Sequence, residues 1–358
     1  MNRVISVLTV FLILVLYRCK DDITNPPVNF TEKIVFVSMT DLHDPTSFPY
    51  LCSINIDGTN FKQMTTGQNY YSTEPVISIQ NMRVIYESTK DGTPDIFSMN
   101  LDGSNQINLT GSLDYDYCPQ VSDNDNLIVF QRHVENNGFY GGPKIFKMGI
   151  NGDNITNLTK DSLSYGLLPL INSKYKLIIY TVYVDAIPRL YSMDYDGNNR
   201  IVLTDSTLYV ATNRNDYKIS GDGEKITFVA SNATTSQQDL YIMNIDGTDL
   251  RNLTNNSENE SFPEFNPANT HIVYDNSGHY GGSRINAVKI ISVEGGASTT
   301  LVEMEKASYA IYNPEGDKIL FVAEMNGHSN IFSMDINGNN IFNITKSNRD
   351  DFMPLFIP

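Results

Sequence analysis

The sequence predicts an all-β protein: a seven-bladed β-propeller of four-stranded antiparallel blades. Three observations carry the prediction: one phrase returns along most of the chain, its interval is nearly constant, and residues within it alternate with the period of a strand. The fullest copy runs from Asp239 to Thr254 and reads D-L-Y-I-M-N-I-D-G-T-D-L-R-N-L-T. Tyr241, Met243 and Ile245 alternate with Ile242 and Asn244, a period of two that suits a strand and not a helix. The run leads into Asp246-Gly247. Asp-Gly or Asn-Gly between two strand-like runs signals a hairpin, because the turn needs positive φ. Leu250 to Thr254 is then the return strand.

The turn recurs as Asp57-Gly58, Asp102-Gly103, Asn151-Gly152, Asp196-Gly197 and Asn337-Gly338, with a worn copy at Glu294-Gly295. Successive turn glycines stand 45, 49, 45, 50, 48 and 43 residues apart, so the worn copy fills its own slot and the units number seven. Ahead of each hairpin lies a second pair of strands. It comprises a short run opened by Pro75, Pro119, Pro169 or Pro263, a polar turn, and a β-branched strand such as Val84-Ile85-Tyr86, Ile128-Val129-Phe130 or Ile272-Val273-Tyr274. Each unit is therefore a four-stranded meander, and four strands in 40 to 50 residues make a propeller blade. The first unit opens on its second strand, Lys33 to Ser38, while Asp351 to Phe356 aligns with Glu260 to Phe265. The C-terminal strand is expected to complete the first blade, closing the ring and removing an exposed strand edge.

Phe262-Pro263-Glu264-Phe265-Asn266-Pro267 and Asn313-Pro314-Glu315-Gly316-Asp317-Lys318-Ile319 resemble the proline-then-S-P-D-G-x-x-I element of TolB-type β-propeller repeats. The Tyr-x-Met-Asn-x-Asp-Gly and Leu-Thr elements match the same family, over about nine-tenths of the chain, from Thr31 to Pro358. The resemblance implies the propeller fold. The family's founding member resembles a six-bladed ring behind a separate N-terminal domain, and with seven units in this sequence its activity is not carried over.

A chain of 358 residues with 41% hydrophobic and 11% aromatic content can bury a large core, and the single period argues for one domain over 31–358. The absence of Trp excludes the WD-repeat signature. A formal charge of −16 disfavours nucleic acid, whose binding rests on Lys and Arg neutralising phosphates. Residues 1–19 carry Arg3, an apolar run from Val4 to Leu16, and then Tyr17-Arg18-Cys19. The run is too short to span a bilayer and fits the apolar core of a signal peptide. Leu16-x-x-Cys19 resembles a bacterial lipoprotein cleavage box, which implies lipid attachment at Cys19, and Lys20-Asp21-Asp22 resembles a surface-export signal of such proteins. Residues 20–30, with Pro26-Pro27, read as a tether. The expectation is an exported monomer anchored to the outer membrane by lipid alone, facing the periplasm or the cell surface. Cys52 and Cys118 fall in units that are not neighbours in a ring and are expected as buried apolar residues, not as a disulfide.

In such a meander the loops joining strands two and three share one face with the loops joining successive blades, and the Asp-Gly hairpins lie on the other. The first of these, the loop face, is where a ligand site is expected. Two of its loops carry the same insertion, Asn136 to Gly142 and Asn276 to Gly282, which present Tyr140 and Tyr280 among glycines. Tyr71, Tyr115 and Tyr165 stand four residues before the inner-strand proline in three consecutive blades, and Asp116, Glu260 and Asp351 stand three before it. With Arg214, these are expected to line the mouth of the central channel and to suit a sugar or an extended peptide. The sequence thus points to a non-catalytic propeller that binds a protein, peptide or glycan, with no cofactor and no metal. The alternative is a polysaccharide-active enzyme such as a metal-dependent lyase, built on His43, His133, His279 and His328, which fall in or beside the same loops. No ligand-like spacing joins these histidines. No G-x-S-x-G elbow occurs either, so no hydrolase nucleophile can be named.

Overall fold

The computed structural model describes residues 32–357 apart from 43, 45, 123, 125, 137–138, 161–164, 233–236 and 278–284, and without the side chains of 135–136, 139–141 and 277. Within them the chain forms seven antiparallel sheets and no helix longer than a single turn. Six blades are consecutive meanders whose inner strands are Ser72–Ser78, Tyr115–Ser122, Leu167–Asn172, Leu208–Val210 with Tyr217–Ile219, Asn259–Phe265 and Ser308–Tyr312. Blade 1 is the exception: Lys33–Met39 and Tyr50–Asn55 pair with each other, and Asp350–Ile357 supplies the inner strand. The ring is closed as the sequence implies, with Lys33 opposite Ile357 and Ser38 opposite Asp351.

The repeated phrase has a physical explanation at each position. Its aliphatic residues are the third strand, and its final threonine fastens the short fourth strand to them. Leu51, Ile96, Ile145, Leu190, Leu240 and Ile331 each donate their backbone N–H to the hydroxyl of the threonine fourteen residues on, at 2.8–3.1 Å. A side-chain acceptor thus satisfies a donor that a two-residue outer strand cannot reach. Blade 6, the worn copy, has a seven-residue fourth strand instead, Thr299–Glu305. The turn glycines all sit at φ between +78° and +87°. A Cβ at Gly197 or Gly338 would also fall 2.3 Å from the backbone oxygen of Leu158 or Leu301 in the preceding blade, so these turns permit no side chain.

There is no single core. Seven apolar clusters each lie between the faces of two successive blades, as where Ile34, Phe36 and Cys52 of blade 1 meet Leu320, Val322 and Ile331 of blade 7. Cys52 and Cys118 are both buried and unbridged. Each blade is thus stable only while both neighbours are present.

The inner strands depart from regular geometry at one place each. Glu74, Cys118, Leu168, Asn215, Phe262, Tyr309 and Met353, one per blade, have φ between +50° and +71°. In six blades the strand pairing slips at that point, and in blade 5 the strand breaks. A left-handed conformation in a residue other than glycine costs about 1–3 kcal/mol, so the seven are maintained by their surroundings. All seven line the cavities of the central channel.

Deleting residues 351–358 removes the inner strand of blade 1 and uncovers one face each of blades 1, 2 and 7. Phe352, Leu355 and Phe356 are half-buried, so their burial contributes less than full core residues would. The closing ladder and two apolar clusters still go with them, a loss comparable to a typical domain stability of about 5–15 kcal/mol. The truncated chain should lose its cooperative melt and aggregate. A melting temperature within a few degrees of the full chain would refute the role of this strand in closure.

Candidate functional site

The channel is built from the inner strands, which run from the loop face to the hairpin face. Blade 5 alters it. Its inner strand needs four more residues than blade 2 to cover the same stretch of its partner strand, and the extra residues form a loop at 211–216 with Arg214 on it. Arg214 crosses to blade 2, where its guanidinium meets Glu74 Oε1 at 2.7 Å and Glu87 Oε2 at 3.4 Å. Glu74 is the left-handed residue of its blade, so a strained backbone aims this carboxylate at the arginine.

Glu87 is almost wholly buried and accepts a hydrogen bond from the Tyr71 hydroxyl at 3.1 Å and one at 3.5 Å from the Cys118 N–H. Burial pushes its carboxyl up to about 7, with Glu74 adding to the rise and Arg214 opposing it. The same arrangement recurs around the ring. Gln131 Oε1 accepts the Leu168 N–H at 3.2 Å, and Asp275 Oδ2 accepts the Tyr309 N–H at 2.6 Å. In blades 2, 3 and 6 the fifth residue of the second strand therefore holds the left-handed residue of the next blade by its backbone.

Above Arg214, toward the loop face, an open recess is lined by Tyr115, Tyr117, Gln131, His133 and Arg214. Tyr117 lies edge-on to both Tyr115 and His133, with centroids 6.3 and 5.5 Å away. Gln131 and His133 are 2.8 Å apart through their Nε2 atoms. Because Gln131 Oε1 is held by Leu168, its Nε2 is the donor, which makes His133 Nε2 an acceptor and the ring neutral. Burial lowers the His133 pKa in the same sense. Below Arg214, toward the hairpin face, a chamber of about 320 Å³ is lined by Val76, Ile77, Ile311 and Leu355 and by the stacked rings of Phe262 and Tyr309, 4.2 Å between centroids. Arg214 with Asn215 forms the partition.

The residues expected at the mouth divide. Arg214 and Tyr115 line the recess, and Tyr71 stands behind it on Glu87. Tyr165 does not join them: it is half-exposed, lies over Gly142, and has Lys144 Nζ 5.9 Å from its ring centroid. The acids are a correction. Asp116, Glu260 and Asp351 are fully buried between blades, where Asp116 holds Arg132 through two bonds of 2.6 and 2.7 Å. Asp351 accepts from Ser38 and Ser347, and Glu260 accepts from Asn256 at 2.8 Å. Two residues before the left-handed position, the side chain turns away from the channel into the blade junction. Tyr140, Tyr280, His43, His279 and Cys19 lie outside the residues or side chains described. Among the described residues, no group of three His, Cys, Asp or Glu is placed to hold a metal ion. Glu74, Glu87, Tyr117 and Gln131 were not singled out by the sequence reading.

Fold and site together define a seven-bladed β-propeller with an ionic partition across its channel. The family model of the TolB beta propeller domain matches residues 210–358, and the seven antiparallel sheets are of the same propeller type. It is similar to TolB from Acinetobacter baumannii, with 21% identity and a TM-score of 0.54 over 74% of this chain, which spans 62% of that protein's length. It is also similar to putative TolB from Agrobacterium tumefaciens, with 17% identity and a TM-score of 0.55 over 80% of this chain and 95% of that one. An oligogalacturonate lyase in complex with manganese aligns at 12% identity and a TM-score of 0.61, over 86% of this chain and 83% of that one. At these identities the likeness is one of fold. No curated protein matches the chain.

The buried Glu260 gives a pH prediction. Burial raises its carboxyl to about 7 from an ordinary 4.5, so native Glu260 holds a proton that the unfolded chain has lost. Below pH 4.5 both states are protonated and the residue costs nothing. As pH rises from 4.5 to 7 the stability falls by about 1–3 kcal/mol. Glu260→Gln should therefore melt several degrees above wild type at pH 8 and together with it at pH 4. Equal melting at both pH values would show that burial does not perturb this carboxyl.

Proposed function

We propose that the chain is an exported, non-catalytic binding propeller that takes a protein, peptide or glycan at the mouth of its channel on the loop face. The observation that carries this reading is the four-residue insertion in blade 5. It interrupts an otherwise repeated strand and places Arg214 across the ring beneath a recess of tyrosine, amide and imidazole groups. A chain that only needed to close a ring would have no use for the interruption. Aromatic rings edged with hydroxyls offer contact area and hydrogen bonds together, which suits a polar polymer. Export and lipid anchoring rest on the Val4 to Leu16 run and Cys19.

Two measurements test the two halves of this reading. Replacing both Tyr115 and Tyr117 by Ala should weaken, by about tenfold or more, binding of any ligand recovered from a glycan array or pull-down, with an unchanged far-UV spectrum. Unaltered affinity would move the site elsewhere. In a Gram-negative host the protein should fractionate with the membrane, and Cys19→Ala should release it or stall its processing. An alanine variant that fractionates and migrates as wild type would end the lipoprotein assignment. Stoichiometric divalent metal in the purified protein would favour a metal-dependent lyase instead.

A further inference from the structure

Among the described residues that line the mouth recess, Arg214 carries the one formal charge: Tyr115, Tyr117 and Gln131 are neutral, and the hydrogen bond from Gln131 keeps His133 neutral too. The guanidinium is unevenly held. Its contact with Glu74 is 2.7 Å, a normal length for a charge-assisted bond, whereas the contact with Glu87 is 3.4 Å and loose for one. A third of the Arg214 side chain is exposed, while the Glu87 side chain is 3% exposed. The recess therefore offers an incoming group one planar cation, half committed, with neutral hydrogen-bonding partners beside it.

We propose that the recess recognises the free C-terminal carboxylate of a peptide, which takes the place of Glu87 on the Arg214 guanidinium. This rests on the binding role assigned to the mouth above and names the group bound there. A carboxylate fits because a guanidinium presents paired N–H donors that match its two oxygens. A single charge fits because Glu74 and Glu87 already face Arg214. A phosphate would bring a second negative charge against them, and a polyuronate would bring many against a chain of net charge −16. A peptide terminus brings one charge and an otherwise neutral chain for Tyr115 and Tyr117 to contact.

The exchange balances through a proton. Among the described residues the groups facing Glu87 are Arg214, Glu74, the Tyr71 hydroxyl and Cys118 with its N–H, and of these Arg214 is the cation that stabilises its ionised form. With its carboxyl already raised to about 7, displacement from Arg214 leaves Glu87 to take one proton from solvent. The ligand carboxylate stays ionised on Arg214, and the cluster keeps its net charge. Proton uptake should approach one per ligand bound at pH 8, where free Glu87 is mostly ionised, and should be small at pH 6, where it is already mostly protonated.

The test uses the full chain and a hexapeptide library randomised at all six positions, prepared once as free acids and once as C-terminal amides. Free acids should be retained, and the amide of each retained peptide should bind about tenfold or more weakly. Arg214→Gln should abolish the preference for the acid, and Arg214→Lys, which keeps the charge without the paired donors, should reduce it; a melting curve for each checks folding. Titration calorimetry of a retained peptide in two buffers of different ionisation enthalpy reads the proton, which Glu87→Gln should eliminate. Amides that bind as well as acids, no retained hexapeptide, or Arg214-dependent capture of a polyuronate or phosphopeptide would each overturn the proposal. Absence of proton uptake at pH 8 would overturn the exchange. A ligand that depends on Tyr115 and Tyr117 but not on Arg214 would sink this proposal and leave the mouth as the binding site; one indifferent to all three would sink both.

Discussion

Everything in this molecule depends on the pairing of Asp350–Ile357 with Lys33–Met39. Seven apolar clusters lie between blades and none lies within one, so the stacking is self-consistent only when the seventh junction forms. That junction is made by residues more than 300 positions apart, which brings a large loop-closure entropy to be offset at the end of folding. Ser38 and Asp351, joined by a 2.6 Å hydrogen bond at 0% exposure, tie the last strand to the first at the same level where blades 3 and 6 carry their own buried acids, Asp116 and Glu260. The channel exists as a consequence, and so does the reach of Arg214 to Glu74, since both distances are set by the circumference of a closed ring.

The fold was legible because repetition amplifies weak signals. One strand-turn-strand phrase would be ambiguous, but seven copies at nearly equal spacing, six of them ending in a threonine, are not. Even the odd intervals carried information. The longest, 50 residues from Gly197 to Gly247, includes the extra residues of the blade 5 inner strand. The site was less legible, and comparison between blades shows why. At the fifth position of the second strand the ring carries Val37, Val229 and Val322 in three blades but Glu87, Gln131, Thr181 and Asp275 in four. A polar residue in so apolar a strand was a visible sign of a buried polar task. Its partner, a backbone N–H in the next blade, was not visible at all.

The misplaced acids show the limit from the other side. Their position three residues before a conspicuous proline points Asp116, Glu260 and Asp351 at the channel mouth. A period of two says that alternate residues share a face, but it does not say which face when both are covered, one by a channel and one by a neighbouring blade. The left-handed residue between the acid and the proline complicates the count further, since it inserts a bulge that resets the alternation. Only the pairing register settles that the acids point into the junctions, where Asp116 meets Arg132.

The seven left-handed residues have a consequence for how such a ring can diversify. Glu, Cys, Leu, Asn, Phe, Tyr and Met occupy equivalent backbone positions, so no one side chain is demanded by the conformation. The backbone is held instead through its N–H by groups such as Glu87, Gln131 and Asp275 that lie elsewhere. Conformation and side-chain identity are thereby uncoupled at the seven places that face the channel. A lineage could rewrite the lining of its channel one blade at a time while the architecture stayed constant, in the way a lock is rekeyed without replacing its case.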